Sequence, residues 1–600
     1  MATPTHLQLR FERLQCVCGI RPVTDRLPAW PVTGRSPSIP CVLLAGFFLY
    51  SGLGGVGWAG TLRPADAREP RIVNIYNFVR DNDYRLPDSR TVLYEATAQQ
   101  VRLLKRAGLP ATWALQYDAL MDTRYQNLFK TQLGTNNEIA AWWEIPRALV
   151  EKAGLTWRGR HEWDPAADVG FSPGYTPEER RKLVDAYMAD FKAIFGYYPK
   201  TAGSWYIDEI TLAYMARRYG IVAACNCKDQ IGTDGYTLWG GYWNQAYYPS
   251  RLNAYMPAQT AAGQIDVPIF RMLGSDPIYQ YGNSPGMHTL EPVYPEGAGG
   301  SPDWVKWFMD NLIHQPSLAF AYTQAGQENS FGWEAMKTGL THQVSLLARL
   351  AQAGDIQVET LAQAGQWFRS HYPLTPPTAV VALDDWQQEN RRTVWYDSRF
   401  YRINFLWANG AFFIRDLHCF DQNVVSPTHD KALATTSLAY ETLPVMDGAL
   451  WSGSGRNVAG MWPVLLSSNG MAAPMTPDGL PVVREITPKA LSIQQSLGGG
   501  GTFLLVCSET NVACIGMDAQ GQPLPWAWNL VGGGQQKSAV QAVTSNSVVY
   551  HYNGANYQLR LAPDAGSCRQ LENGDIRLAP DSSGKLVMIL DGGRLRPRRE

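Results

Sequence analysis

Charge of either sign is scarce in this chain. Only 18% of its 600 residues are charged, and 52 Lys plus Arg against 53 Asp plus Glu leave a formal net charge of -1. That balance gives no electrostatic ground for a nucleic-acid or anionic-membrane partner. Metal-binding spacings are missing too: neither a C-x-x-C pair nor an H-x-x-x-H motif occurs, so no metal or other cofactor is expected. No internal repeat is visible, which argues against a solenoid. The run Cys41 to Tyr50 is apolar but short for a membrane span.

Cysteine is also sparse, and three of the nine (Cys16, Cys18, Cys41) lie near the N-terminus. Cys225 and Cys227 in "AACNCKD" would point to the same side of a strand, where a disulfide is geometrically poor, so they read as small buried residues. Cys507 and Cys514 flank "SETNVA" and could face each other across a hairpin as a disulfide candidate.

Aromatic residues, by contrast, are plentiful, with 21 Trp and 29 Tyr. Flat apolar side chains with a polar handle suit sugar rings, whose C–H faces stack on them while hydroxyls hydrogen-bond at the edge. Six hundred residues are too many for one core, so at least two domains are expected. Residues 1–62 read as an export leader, a signal peptide or anchor: Arg10, Arg13, Arg21, Arg26 and Arg35 precede the apolar run, and small residues follow it. The mature protein is therefore expected outside the cytoplasm, periplasmic or extracellular, touching a membrane only through an uncleaved leader.

From residue 71 strand-like and helix-like segments alternate. "RIVNIYNFV", "PATWALQY", "NEIAAWWEI", "KTAGSWYI", "IVAACNC", "DVPIFRML" and "SLAFAYTQ" read as strands, with amphipathic helical segments between them. Thr176 and Pro177 mark the start of the helix after the third strand. Seven or eight such units predict an α/β fold, a (β/α)7-like parallel barrel over 63–375. "YPLTPPTAVV" reads as a linker. Beyond it, short strands separated by Gly, Asn and Asp turns predict an antiparallel β-sandwich over 376–600.

In a parallel barrel, the C-terminal strand ends and the loops after them converge on one mouth. Carboxylates, amides and indoles recur at nearly every such end. The third strand carries Trp142, Trp143 and Glu144; by alternation Trp142 and Glu144 face the mouth while Trp143 faces away. Glycosidic cleavage needs that mixture: two carboxyl groups of different protonation and aromatic platforms.

"GLPATWALQYDALMD", "NNEIAAWWEI" and "IFGYYPKTAGSWYIDEITLAYMARRYGIVAA" resemble the spaced motifs of the polysaccharide-deacetylase (NodB-like) barrels and related glycoside hydrolases, over roughly residues 71 to 370. The resemblance implies an incomplete (β/α)7 barrel acting on oligo- or polysaccharide. Where that family has an Asp-Asp pair after the first strand, this chain has "YNFVRD", with Asn77 and Phe78. Where it has two zinc histidines, this chain has Trp142 and Pro146, and neither can bind a metal. The related metal-free family-57 glycoside hydrolases place a nucleophilic carboxylate after the fourth strand and an acid after the seventh. That implies Asp208 as nucleophile or base and Glu328 as general acid, with Glu144 or Asp234 as replacements. Asp208 also stands where the helix "EITLAYMARRYG" would need an N-cap. Trp142, Trp239 and Trp243 are the expected sugar platforms, Trp205 and Asp234 further substrate contacts, and Asn77, Arg80 and Gln327 would hold hydroxyls or an acidic sugar. Two alternatives stay open: a metal-dependent esterase with a rearranged site such as Asp208, Asp229 and His161, and a non-catalytic carbohydrate-binding protein.

Overall fold

Seven short parallel strands, each buried almost throughout, form the centre of the computed structural model, which describes residues 69–282, 286–452 and 458–592. The expected leader, residues 1–62, and with it Cys16, Cys18 and Cys41, lies outside the described residues. The strands are β1 (Arg71–Val79), β2 (Thr112–Leu115), β3 (Glu138–Trp142), β4 (Thr201–Gly203), β5 (Ala223–Asn226), β6 (Ile269–Arg271) and β7 (Ala321–Ala325). Their order is β7-β1-β2-β3-β4-β5-β6, and β6 and β7 do not pair, so the barrel is nearly closed with one seam. A three-residue strand, Gln357–Glu359, runs parallel to the first half of β1. Parallel strands buried on both faces need near-continuous apolar or small residues, and "RIVNIYNFV" and "AACN" supply them. The barrel is filled as a core. A Cβ on Gly203 of β4 would lie 2.0 Å from the Tyr76 hydroxyl, so that position admits only glycine.

The helices between strands present apolar faces to this sheet. Ser89–Ala107 buries Leu93, Ala96, Val101 and Leu104, and Gly108 closes it in the left-handed region. Pro177–Phe195 starts with the expected capping box, Thr176 and Glu179 bonding reciprocally. Among the described residues no helix is long and apolar enough to cross a membrane.

The C-terminal region consists of two antiparallel sheets packed face to face. One begins with the meander Thr378–Ala382, Arg392–Asp397, Tyr401–Ala408 and Ala411–Cys419; the other with Pro477–Thr487, Ala490–Leu497, Thr502–Ser508 and Asn511–Met517. Strict alternation of buried and half-buried residues in the last two strands is the pattern of a sheet with one face inward. Phe503 meets Phe412 and Trp526 across the sandwich. The expected Cys507–Cys514 disulfide is absent. The hairpin register sets Cys507 opposite Val512 and Cys514 opposite Leu505, so the two thiols sit diagonally, and both are free and buried. Cys225 and Cys227 are free and buried as well.

The two halves interlock at the barrel mouth. The loop after β5 sends out the hairpin Gln230–Thr233 and Tyr236–Trp239, and the second strand pairs in parallel with Leu438–Glu441 of the β region. Next to this, Arg402 of the sandwich reaches Asp229 of the barrel at 2.6 Å with both side chains buried.

Candidate functional site

Arg80 is the first residue past β1, and alternation along that strand places Tyr76, Phe78 and Arg80 on one side. Phe78 stacks on Trp142 at 4.0 Å, and Trp205 stands edge-on to both rings at 5.3 and 5.9 Å. Trp142 and Glu144 thus face the mouth, while Trp143 turns outward to Tyr187. Above the rings, Arg80 gives two bonds to Glu144 (Nη2 to Oε1, 2.6 Å; Nε to Oε2, 2.8 Å) and one to Glu328 (Nη1 to Oε2, 2.6 Å). Gln116, after β2, donates to Glu144 at 2.8 Å, and the guanidinium lies over Trp163. Strand ends β1, β2, β3 and the loop after β7 therefore meet at one buried cation.

The backbone keeps these groups in place. Asn329 accepts from Arg80 N at 3.0 Å and donates to Arg80 O at 2.7 Å, tying the loop after β7 to the end of β1. Gly326 makes that approach possible: its φ is +104°, and a Cβ there would lie 2.2 Å from Tyr76 O. Gly326→Ala is accordingly expected to cost about 2 kcal/mol or more, read as a lower denaturation midpoint, because both the conformation and the contact reject a side chain.

Glu328 and Glu144 are held differently. Glu144 has both oxygens occupied and its side chain is sealed, whereas Glu328 meets Arg80 through a single oxygen and keeps a tenth of its side chain exposed. Burial pushes the Glu328 carboxyl above its usual range, against the opposing pull of Arg80 and Arg85. A third carboxylate, Glu291, shares this mouth from the long loop after β6. Burial, with Glu328 adding repulsion, drives it up to about 7, although the Thr289 hydroxyl and Lys228 work the other way. Sequence reasoning missed Glu291, because "MHTLEPVYPEG" has no periodicity and stands far from any strand end. Gln327, one of the expected binding residues, is buried in the loop after β7 with its side-chain amide unpartnered among the described residues.

Around these charges several buried polar atoms find no hydrogen-bond partner in the described protein: Trp142 Nε1, Trp163 Nε1, Tyr206 OH, Asn226 Nδ2 and Gln116 Oε1. Tyr206 stacks on Phe171 and meets Tyr236, whose hydroxyl feels both Glu144 and Arg80. Such groups are costly to leave unpaired.

Other expected residues stand elsewhere. Asp208 caps the helix Glu209–Tyr219, accepting from Thr211 N at 2.9 Å and Thr211 Oγ1 at 2.7 Å, from the Ser172 hydroxyl, and from Arg180 at 3.0 Å with both side chains fully buried. Burial raises its pKa, but Arg180 and these bonds outweigh that and leave the carboxyl below its usual value. Arg180 also donates to Thr428 O and Lys431 O, fastening the β region to the barrel. Asp208→Asn keeps the cap but leaves Arg180 uncompensated; a stability loss of about 3–5 kcal/mol is expected in urea titration, with activity per folded molecule retained.

Trp239 donates to Asp447, and Trp243 stacks on Trp395 at 4.1 Å, so both indoles lie in a separate cluster at the junction with the sandwich. Asn77 faces the helix layer, accepting from Gln100 and from Gln327 N. Asp234 is exposed at the hairpin turn, with a φ of +53°.

No protein-family model and no curated protein sequence matches the chain. Solved structures do. A candidate glycoside hydrolase/deacetylase from Parabacteroides distasonis is 16% identical, covering 62% of this chain and 91% of its own, with a TM-score of 0.47. Further matches include a family 4 acetyl xylan esterase from Clostridium thermocellum, in complex with a cobalt ion (10% identity, 51% of this chain, 99% of its own, TM-score 0.23). A GH57 branching enzyme from Thermococcus kodakaraensis also matches (10% identity, 51% and 71%, TM-score 0.26).

The residues at this mouth do not fit a metal ion. Its centre is a guanidinium already bracketed by carboxylates, and Trp142 and Pro146 offer no ligand. Among the described residues no group of three or more His, Cys, Asp and Glu is placed to hold one. Asp208, Asp229 and His161 do not converge: Asp229 is shared by Arg271 and Arg402, and His161 is exposed, its ring stacked on Tyr84.

Proposed function

We propose that this protein is an exported carbohydrate-processing hydrolase that cleaves glycosidic bonds, with Glu328 as the ionised carboxylate and Glu291 as the proton donor. The observation that carries this reading is the pair of buried glutamates in unlike surroundings at one mouth: Glu328 bonded to Arg80, Glu291 without an arginine and driven up to about 7. Glycoside hydrolysis needs one carboxyl protonated and one charged; burial raises both groups, and the Arg80 guanidinium, bonded to Glu328 and not to Glu291, favours the charge on Glu328. Glu328 thereby takes the charged role rather than the acid's. Glu144, saturated by Arg80 and Gln116, positions the arginine. Trp205, half-buried against the fully buried Phe78 and Trp142, is the aromatic face left for a sugar ring, and the unpartnered indole, phenol and amide groups supply hydrogen bonds for sugar hydroxyls.

Mass spectrometry of a glycan panel incubated with the mature protein tests this. Shortened chains support it. Loss of acetyl groups with chain length intact favours an esterase, and binding without any product favours a non-catalytic lectin-like role.

A further inference from the structure

Arg80, the residue expected from sequence to hold an acidic sugar, already has its charge matched by two carboxylates, with three of its five N–H donors on Glu144 and Glu328 and a fourth on the Ser330 hydroxyl. Lys228 does have capacity. It follows β5 in the loop that faces the mouth, is 2% exposed, and acts on the carboxyl of Glu291. Its ammonium makes one hydrogen bond among the described residues, 3.3 Å to the carbonyl of Asp229, and no ion pair. The adjacent carboxylate is not its partner: Asp229 gives one oxygen to Arg271 and the Gly240 amide and the other to Arg402. A buried ammonium that makes no ion pair is unfavourable, and the arrangement persists where an anion completes it.

Two residues earlier, at the end of β5, Asn226 accepts from Ile207 N through its oxygen, which leaves its amide Nδ2 buried and unpartnered. An ammonium and an amide N–H, each with donor capacity to spare, match the two oxygens of a carboxylate. We propose that Lys228 and Asn226 bind the carboxylate of a uronic acid unit, so that the site takes acidic rather than neutral glycans. This rests on the mouth being a sugar site. Lys228 is then a specificity residue that also lies within electrostatic reach of Glu291.

The test is calorimetric binding of the full mature chain to uronate trisaccharides (galacturonate, mannuronate and glucuronate-bearing xylan fragments), each beside its neutral methyl ester. One of the acids is expected to bind more tightly than its ester. Lys228→Gln should weaken that acid by roughly 30-fold or more and leave the ester unchanged, and Lys228→Arg should recover much of the loss. Thermal melting shows that each variant folds. Equal affinity for every acid and its ester, or no change in Lys228→Gln, overturns the assignment, as does a sulfated trisaccharide binding more tightly than any uronate. Because binding needs no turnover, the two ideas fail separately. Uronate bound through Lys228 but never cleaved removes the hydrolase; neutral glycans cleaved with uronates ignored removes this inference.

Discussion

Glu328→Gln is expected to lower kcat/KM on the cleaved glycan by roughly 10⁴-fold while the protein melts close to the wild-type temperature. The two halves of that outcome have separate causes. Glutamine has the same shape and keeps an oxygen that can accept from Arg80 Nη1, now at 2.6 Å from the carboxylate. Arg80 also retains its bidentate pair with Glu144, so no buried charge is left bare and the fold has little reason to change. The amide, however, can neither carry the negative charge that stabilises an oxocarbenium-like transition state nor act as nucleophile or base. Steady-state kinetics beside a melting curve therefore separates chemistry from stability. Wild-type kcat/KM in a folded Glu328→Gln would remove this residue from the mechanism. Asp208→Asn is the counterpart, with stability lost and chemistry kept, because Asp208 is consumed by Arg180, Ser172 and Thr211.

What could be read from the sequence follows from which interactions are local. The barrel strands were legible because each is a short apolar run between amphipathic segments, and the outward turn of Trp143 against the inward Trp142 and Glu144 follows from the period of two alone. Asp208 was ambiguous for a physical reason: a helix cap and a strand-end carboxylate occupy the same position in a βα unit. Only Arg180, 28 residues away, decides how the side chain is used. Trp239 and Trp243 look like platforms in one dimension. They become core because a sandwich strand more than 150 residues on brings Trp395 against them, and no local pattern records that. The disulfide expectation failed on register, since a two-residue offset across a hairpin is fixed by the turn and not by the flanking cysteines. Glu291 had no local signature, because a long loop placed it.

Replacing that glutamate tests the other half of the mechanism. Glu291→Gln is expected to cost about 10²–10⁴-fold in kcat/KM for glycosides whose leaving group needs a proton, and far less for aryl glycosides that leave without one. In the wild type, kcat/KM should fall as pH rises past the Glu291 value of about 7, since the donor is then ionised; the variant should lack that alkaline limb. The same group links pH to stability. Its folded value of about 7 lies above the ordinary 4.5, so between those values the folded protein holds a proton that the unfolded chain has released. The contribution is fully present below pH 4.5 and is lost as pH rises through 7. It amounts to about 3 kcal/mol for this one group, and glutamine, neutral throughout, should flatten that part of the stability curve. An alkaline limb that survives unchanged in Glu291→Gln would assign the proton to another group, and a stability slope that also survives would mean that the carboxyl is already ionised in its buried place beside Glu328.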